Sequence, residues 1–308
     1  MSKPVPIRMI AVDLDGTLLG ADGQVGARNL AALQAASHAG ALIVVATGRR
    51  HCYAMHVLRG LGLPQDAIVI SSNGAVVRTL DAELIERTFM PNATALWLAG
   101  HLGEFRNALV ITFDKVGPDG EDTKGALVVE ELEDLHTSIG QWMRSNQRYL
   151  EVVNPIEDAL RGDSPIQMML CGTVERMRRA EARMVEDPRV HDVGDTRSDG
   201  LLTLNRTEYP ARNLSLLDIL PAGCSKGAAL LRLAASRGIA AAEIMALGDN
   251  WNDVSMLEVA GSPVLMGNAP ADLQSMALER GWPITATHDA DGVAEAVLNV
   301  ICTPMGAP

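Results

Sequence analysis

Residues 7–12 form a largely apolar stretch, and the chain continues as Asp13-Leu14-Asp15-Gly16-Thr17-Leu18-Leu19. A strand that ends on two carboxylates one residue apart puts chemistry at its carboxyl end, where open α/β sheets carry their sites. Alternation along an extended chain points Asp13 and Asp15 to the same side. Two like charges so close repel, and they call for a cation, a shared proton or water. The stretch therefore implies a metal site, a nucleophile beside an acid, or both.

Outward from this stretch the sequence alternates strand and helix patterns. Residues 27–39 read as a helix, 41–46 as a strand, 50–61 as a helix and 67–71 as a third strand. That rhythm predicts a parallel sheet with right-handed crossovers. Asn73-Gly74 makes a turn, and 75–78 with 84–88 read as a hairpin. The C-terminal part resumes the rhythm, with helices at 226–237, 253–260, 271–279 and 293–301 and strands at 244–247 and 263–266. The two ends read as halves of one doubly wound, Rossmann-like, mostly parallel sheet, residues 1–85 and 221–308.

The middle, residues 86–220, reads as an inserted α+β domain. Residues 108–113, 126–129, 149–153, 166–171, 201–205 and 214–220 read as strands. Helical patterns cover 135–145 and 174–185. Residues 114–125, with three glycines and a proline, read as an exposed polar loop.

Bulk properties narrow the function. The chain has 308 residues, 47% of them hydrophobic and only 3% aromatic, so an ample core rests on aliphatic side chains. A net charge of −12 argues against a nucleic-acid surface, which requires a basic face. Residues 7–12 are too short for a signal peptide or a membrane span. Cys52, Cys171, Cys224 and Cys302 form no CxxC pair, so reduced thiols and a cytoplasmic setting are expected.

Further reactive groups follow apolar strands or open helices: Thr47-Gly48-Arg49, Ser72-Asn73-Gly74, Ser225-Lys226-Gly227 and Gly248-Asp249-Asn250-Trp251-Asn252-Asp253. Singly, each has an ordinary reading: a turn for Asn73-Gly74, a helix cap for Thr47, a solvated lysine for Lys226, first-turn acids for Asp249 and Asp253. On a parallel sheet they emerge at one edge, and four carboxylates converge with a lysine and a threonine. Carboxylates without a His/Cys cluster suit a hard cation, best Mg²⁺. Lysine and hydroxyl donors beside it suit a phosphoryl group. The sequence contains no GxxxxGK[ST] or HExxH motif.

These residues together resemble the haloacid dehalogenase-like phosphatases, in the Cof-type subgroup with a large cap inserted after the second motif. The resemblance rests on Asp13-Leu14-Asp15-Gly16-Thr17-Leu18, Ala46-Thr47-Gly48-Arg49 and Ser72-Asn73-Gly74-Ala75. It continues through Leu220-Pro221-Ala222-Gly223-Cys224-Ser225-Lys226-Gly227 and Gly248-Asp249-Asn250-Trp251-Asn252-Asp253, then Met256-Leu257, Met266-Gly267-Asn268-Ala269 and Asp291-Gly292-Val293. The middle resembles the family's cap only in position, length and strand–helix mix.

The resemblance implies Asp13 as the nucleophile, Asp15 as general acid and base, and Mg²⁺ held by Asp13, the Asp15 main-chain carbonyl and Asp249. It implies Thr47, Gly48 and Lys226 as phosphate binders, with Asn252, Asp253 and Asn268 in support. The expected substrate is a small phosphorylated metabolite, a sugar phosphate first. A phosphotransferase or phosphomutase on the same scaffold, and a non-catalytic binding protein, are the competing readings. Two stretches depart from the family pattern, 260–265 and Trp282-Pro283-Ile284-Thr285. On the cap, Asp114, Lys115 and Arg148 are expected to be solvated surface groups.

Overall fold

The computed structural model describes residues 5–117, 119–132, 140–209 and 212–301, with only the backbone for 140–142. In chain order it contains β1 (Met9–Asp13), α1 (Ala27–His38), β2 (Leu42–Ala46), α2 (His51–Leu58), β3 (Ile68–Ser71), β4 (Val76–Thr79) and β5 (Leu84–Arg87). There follow α3 (Asn92–His101), β6 (Leu109–Thr112), β7 (Leu127–Val129), α4 (Gly140–Asn146), β8 (Leu150–Val152), β9 (Gln167–Gly172), α5 (Val174–Val185), β10 (Leu202–Tyr209) and β11 (Leu214–Pro221). The chain ends with α6 (Lys226–Ser236), β12 (Ile244–Gly248), α7 (Val254–Val259), β13 (Ser262–Leu265), α8 (Ala271–Glu279) and α9 (Gly292–Ile301). Of the helix expected at 135–145, residues 135–139 lie outside the described residues, as does Cys302. The chain divides into two compact units, Met1–Glu86 with Lys226–Pro308, and Arg87–Ser225.

In the first unit, seven described strands form one sheet in the order β13-β12-β1-β2-β3-β4-β5. The pairs from β13 to β3 are parallel and β4 returns antiparallel to β3. Strand alternation sorts the core into two layers. Ile10, Val12, Ile43, Val45, Met245 and Leu247 pack with α1, α2 and α9. Met9, Ala11, Val44, Ala46, Ile244 and Ala246 pack with α6, α7 and α8. Strands covered on both faces read as continuous apolar runs, as residues 42–46 do. Asn29 of α1 is buried, and its Oδ1 accepts the Ala294 N–H at 2.9 Å, capping the first turn of α9.

The departure at 282–285 has a structural reason. Ile284 bridges Leu265 in parallel, Leu265 N donates to Pro283 O at 2.9 Å, and Thr285 N donates to Leu265 O at 2.9 Å. The stretch extends the sheet beyond β13 and covers what would be an open edge.

In the second unit six described strands are ordered β10-β11-β9-β6-β7-β8, antiparallel except for β7 with β8. Side chains of α3 and α5 pack on one face. The segment 114–125 is less exposed than its composition suggests. Val116 bridges Asp122, Asp114 pairs with Arg87 at 2.8 Å and has a side chain only 4% exposed. Lys115 pairs with Asp163 at 3.2 Å, and Arg148 with Glu121 at 3.0 Å. Among the described residues, no helix is long and apolar enough to cross a membrane.

One ion cluster stitches this unit. Arg106 donates Nε and Nη2 to Glu130 at 2.7 and 2.6 Å, and Nη1 and Nη2 to Glu157 at 2.5 Å each. Glu130 also accepts the Ile156 N–H at 3.1 Å. Hydrogen bonds from Arg106 hold both glutamates below the ordinary carboxylate range. Arg106→Met leaves two half-buried carboxylates without a cation and is expected to destabilise the protein by about 2–3 kcal/mol. Because both pKa values are lowered on folding, the wild-type advantage is full above the ordinary glutamate range and lost as pH falls through the lowered values. Thermal unfolding of both proteins at pH 7 and pH 4 checks this, with the gap narrowing at pH 4.

Candidate active site

The parallel register aligns the strand ends. Asp13 lies opposite Ala46 across β1 and β2, Val12 opposite Leu247 across β1 and β12, and Ala46 opposite Ile70 across β2 and β3. Asp13, Thr47, the Ser72-Asn73-Gly74 turn and Asp249 therefore follow the strands at one edge of the sheet.

The chain after β1 bends sharply. Gly16 has φ +85°, and a Cβ there would strike the Asp249 carboxylate, so glycine is required on both counts. Thr17 Oγ1 donates to Asp249 Oδ1 at 3.1 Å. Asn268 Nδ2 donates to the Gly16 carbonyl at 2.8 Å, while Asn268 Oδ1 accepts the His288 N–H at 2.9 Å. Asn268 thus ties the β1 turn to the loop after β13.

Lys226 opens α6 and is fully buried. Its Nζ donates to Asp13 Oδ1 and to Asp253 Oδ1, both at 2.6 Å. The helix start is seated on α7: Gly227 N donates to Ser255 Oγ at 3.2 Å, and a Cβ on Gly227 would overlap the Ser255 carbonyl. Asp253 turns its Oδ2 to the N–H groups of Asp249 and Asn250, at 3.0 Å each. Both of its oxygens are engaged, so Asp253 fixes the lysine on one side and the Asp249 backbone on the other.

Asp13, Asp249 and Asp253 each offer an oxygen within 4.8 Å of the others, and all three are buried. Three carboxylates against one ammonium leave an excess of negative charge. Burial, and then repulsion from Asp253, push the Asp13 carboxyl well above the usual range, against the pull of Lys226. Burial and the same repulsion push Asp249 up to about 7, while the Thr17 hydrogen bond and Lys226 work the other way. Burial disfavours the charged Lys226, but Asp13 and Asp253 outweigh it and hold the lysine above its ordinary value. A compact set of hard oxygen donors with uncompensated negative charge could hold a divalent cation.

Other expected site residues lie around this cluster rather than in it. Asp15 turns its carboxylate to Arg49, whose Nε donates to Oδ2 at 2.8 Å and whose Nη2 donates to Oδ1. Thr47 Oγ1 accepts the Arg49 N–H at 3.1 Å. Gly48 lies against the Asn73 side chain. Asn252 Nδ2 donates to Asn73 Oδ1 at 3.2 Å, so Asn252 braces the loop after β3. Ser72, Asn73 and Gly74 all have positive φ, at 48°, 52° and 104°. Such backbone is held by its surroundings: Ser72 N donates to Arg49 O at 2.8 Å and Asn73 N to Thr47 O at 3.0 Å. Arg49, Thr17 and Asn73 join the expected residues at this edge without standing out in the sequence. Their only signal there is membership of the short motifs already quoted.

Comparison with known proteins agrees with this geometry. A family model described as haloacid dehalogenase-like hydrolase matches residues 10–297. A 5-amino-6-(5-phospho-D-ribitylamino)uracil phosphatase of Bacillus subtilis is 29% identical over 299 residues, covering 94% of this chain and 96% of its own. An HMP-PP phosphatase of Shigella flexneri is 28% identical over 270 residues, 87% of each chain. Among solved structures, a haloacid dehalogenase-like hydrolase from B. subtilis aligns with a TM-score of 0.72 at 25% identity, covering 94% of this chain and 99% of that one. Matches of that length, through both ends and the insertion, mean that the chain belongs to the haloacid dehalogenase-like hydrolases.

Proposed function

We propose that the protein is a Mg²⁺-dependent phosphatase that hydrolyses a small phosphorylated metabolite through an aspartyl-phosphate on Asp13. The observation that carries this reading is the buried Lys226 ammonium bonded to both Asp13 and Asp253, with Asp249 beside them. Lys226 holds Asp13 by Oδ1 alone, which leaves Oδ2 to attack phosphorus. The phosphorus–oxygen bond to the leaving group breaks as the Asp13 oxygen–phosphorus bond forms, and Asp15 gives a proton to the departing oxygen. Water then attacks the same phosphorus, Asp15 takes its proton, and inorganic phosphate leaves with Asp13 restored.

Lys226, the Thr47 hydroxyl and the Gly48 N–H receive the phosphoryl oxygens in this reading. Asp253, Asn252 and Asn268 position their neighbours through the hydrogen bonds described above. Asp13, Asp249 and the Asp15 main-chain carbonyl would hold Mg²⁺, which when bound offsets the repulsion between an anionic nucleophile and an anionic ester. The inserted unit, residues 86–220 in the sequence reading, is assigned the choice of substrate. The named substrate of the Bacillus relative carries its phosphate on a ribityl chain, which favours a sugar- or polyol-type phosphomonoester here. The buried thiols Cys52, Cys171 and Cys224 fit a reducing, cytoplasmic setting.

The test is phosphate release from p-nitrophenyl phosphate and from a panel of sugar phosphates. Chelation is expected to abolish turnover and Mg²⁺ to restore it; full activity in chelator overturns the reading. Metal binding should also carry a pH signature. Asp249 has a folded pKa raised to about 7, so the native protein binds more protons than the unfolded chain between about pH 4 and 7. Metal-free stability contributed by this group therefore falls as pH rises through that window. A cation needs the ionised carboxylate, so the rise in unfolding midpoint on adding Mg²⁺ should be small at pH 6 and larger at pH 8. A midpoint shift independent of pH contradicts the assignment of Asp249.

A further inference from the structure

The Asp15 carboxylate stands outside the acid cluster, with both of its oxygens in the fork of one guanidinium. Arg49 is anchored on several sides. Its N–H donates to Thr47 Oγ1 at 3.1 Å, its carbonyl accepts from Ser72 N at 2.8 Å, and its guanidinium lies 5.0 Å from the Tyr53 ring centroid. Stacking on Tyr53 and the backbone ties fix where the fork points. Asp15 is the more exposed partner, with a side chain 48% exposed against 22% for Arg49.

Arg49 is the third residue of the turn that receives phosphoryl oxygens in the proposed function. A guanidinium fork accepts a carboxylate and a phosphoryl group with the same planar, two-point geometry. Asp15 therefore occupies donors that a phosphoryl dianion at this turn would take. While both oxygens are so engaged, Asp15 is not free to reach a leaving-group oxygen. We propose that Arg49 is a positioning residue that stores the Asp15 carboxylate and yields to an incoming phosphoryl group, so that phosphate binding and mobilisation of Asp15 are one event. The competing view is a fixed surface ion pair with no link to ligand. The inference rests on the proposed function, and the two fail separately.

Binding that displaces a contact is linked reciprocally to that contact. The experiment is calorimetric titration of inorganic phosphate into the Mg²⁺-loaded full chain for wild type, Asp15→Ala, Arg49→Met and the double variant. Removing Asp15 frees the fork, so Asp15→Ala should tighten phosphate binding about tenfold, and Arg49→Met should weaken it. In the Arg49→Met background, removing Asp15 should tighten binding by no more than about twofold, the residue of simple charge relief. Equal tightening in both backgrounds, or none with Arg49 present, overturns the proposal. Arg49→Lys replaces Arg49→Met should the latter not fold: a point cation without the fork should keep the tightening below about threefold. Ester turnover of Asp13→Asn is the separate check. Loss of turnover with a failed phosphate cycle removes only the role of Arg49, whereas unchanged turnover removes the site reading itself.

Discussion

Asp13→Asn is expected to lower phosphate release by on the order of 10⁴-fold or more, while the unfolding midpoint stays within about 4 °C of wild type. The two halves of this result have separate causes. An amide keeps the shape of the side chain and an oxygen able to accept from Lys226, but it offers no anionic oxygen to attack phosphorus. Stability is spared because burial and the neighbouring carboxylates already push Asp13 toward its neutral form in the metal-free protein. Lys226 also keeps its second partner, Asp253, at 2.6 Å. Mg²⁺ should raise the midpoint of the variant less than that of wild type, since one donor is lost. Steady-state phosphate release and thermal unfolding with and without Mg²⁺ measure both halves. Wild-type turnover in the variant sinks the assignment of Asp13 as nucleophile.

The fold is legible where burial imposes a simple period. Strands covered on both faces, such as β1 and β2, announce themselves as apolar runs, and α5 shows a polar face interrupted by Met177, Ala180 and Met184. Legibility fails where neighbours, not pattern, decide. Residues 92–101 form α3, yet this segment carries apolar residues on all sides, with Leu96 exposed beside buried Ala95 and Leu98, so no helical stripe stands out. Strand β10 runs four residues past the expected end at 205 because Arg206 to Tyr209 pair with Leu217 to Leu214 across β11. Their polar side chains hide a ladder that only the partner strand reveals.

The site divides along the same line. Asp13, Lys226, Asp249 and Asp253 can be picked out because each follows or opens an element at one edge, and parallel register then brings them together. Which acids share the cluster is not legible. Asp13 and Asp15 lie on the same side of an ideal strand, but β1 ends at Asp13 and the bend at Gly16 redirects the chain. Asp15 then finds Arg49, 34 residues away. A rotamer settled by a partner on another loop leaves no trace in spacing. The same holds for Asn252 reaching Asn73, and for Arg106 gathering Glu130 and Glu157.

Lys226→Met is expected to cost about 3–5 kcal/mol of stability, a fall of roughly 10 °C in unfolding midpoint, together with nearly all turnover. The lysine is the one cation bonded to this acid cluster among the described residues, and it is fully buried between Asp13 and Asp253. Removing it leaves Asp253 Oδ1 buried without a donor, and an uncompensated charge is costlier than a lost pair. The deficit should be complete at pH 7. The pKa of Lys226 is raised by folding, so its contribution is present in full below the ordinary lysine range and disappears only as pH climbs through the raised value. A second substitution separates charge from contact. In Lys226→Met/Asp253→Asn the amide oxygen still accepts from the Asp249 and Asn250 N–H groups, and the charge left unpaired on Asp253 is gone. Much of the lost stability should return while turnover stays abolished, because phosphoryl oxygens still lack the ammonium. Lys226→Arg should rescue neither, since a planar, longer side chain has no room in a slot without solvent exposure. Recovery of turnover along with stability in the double variant would mean that Lys226 only holds the loops together and never meets the phosphate.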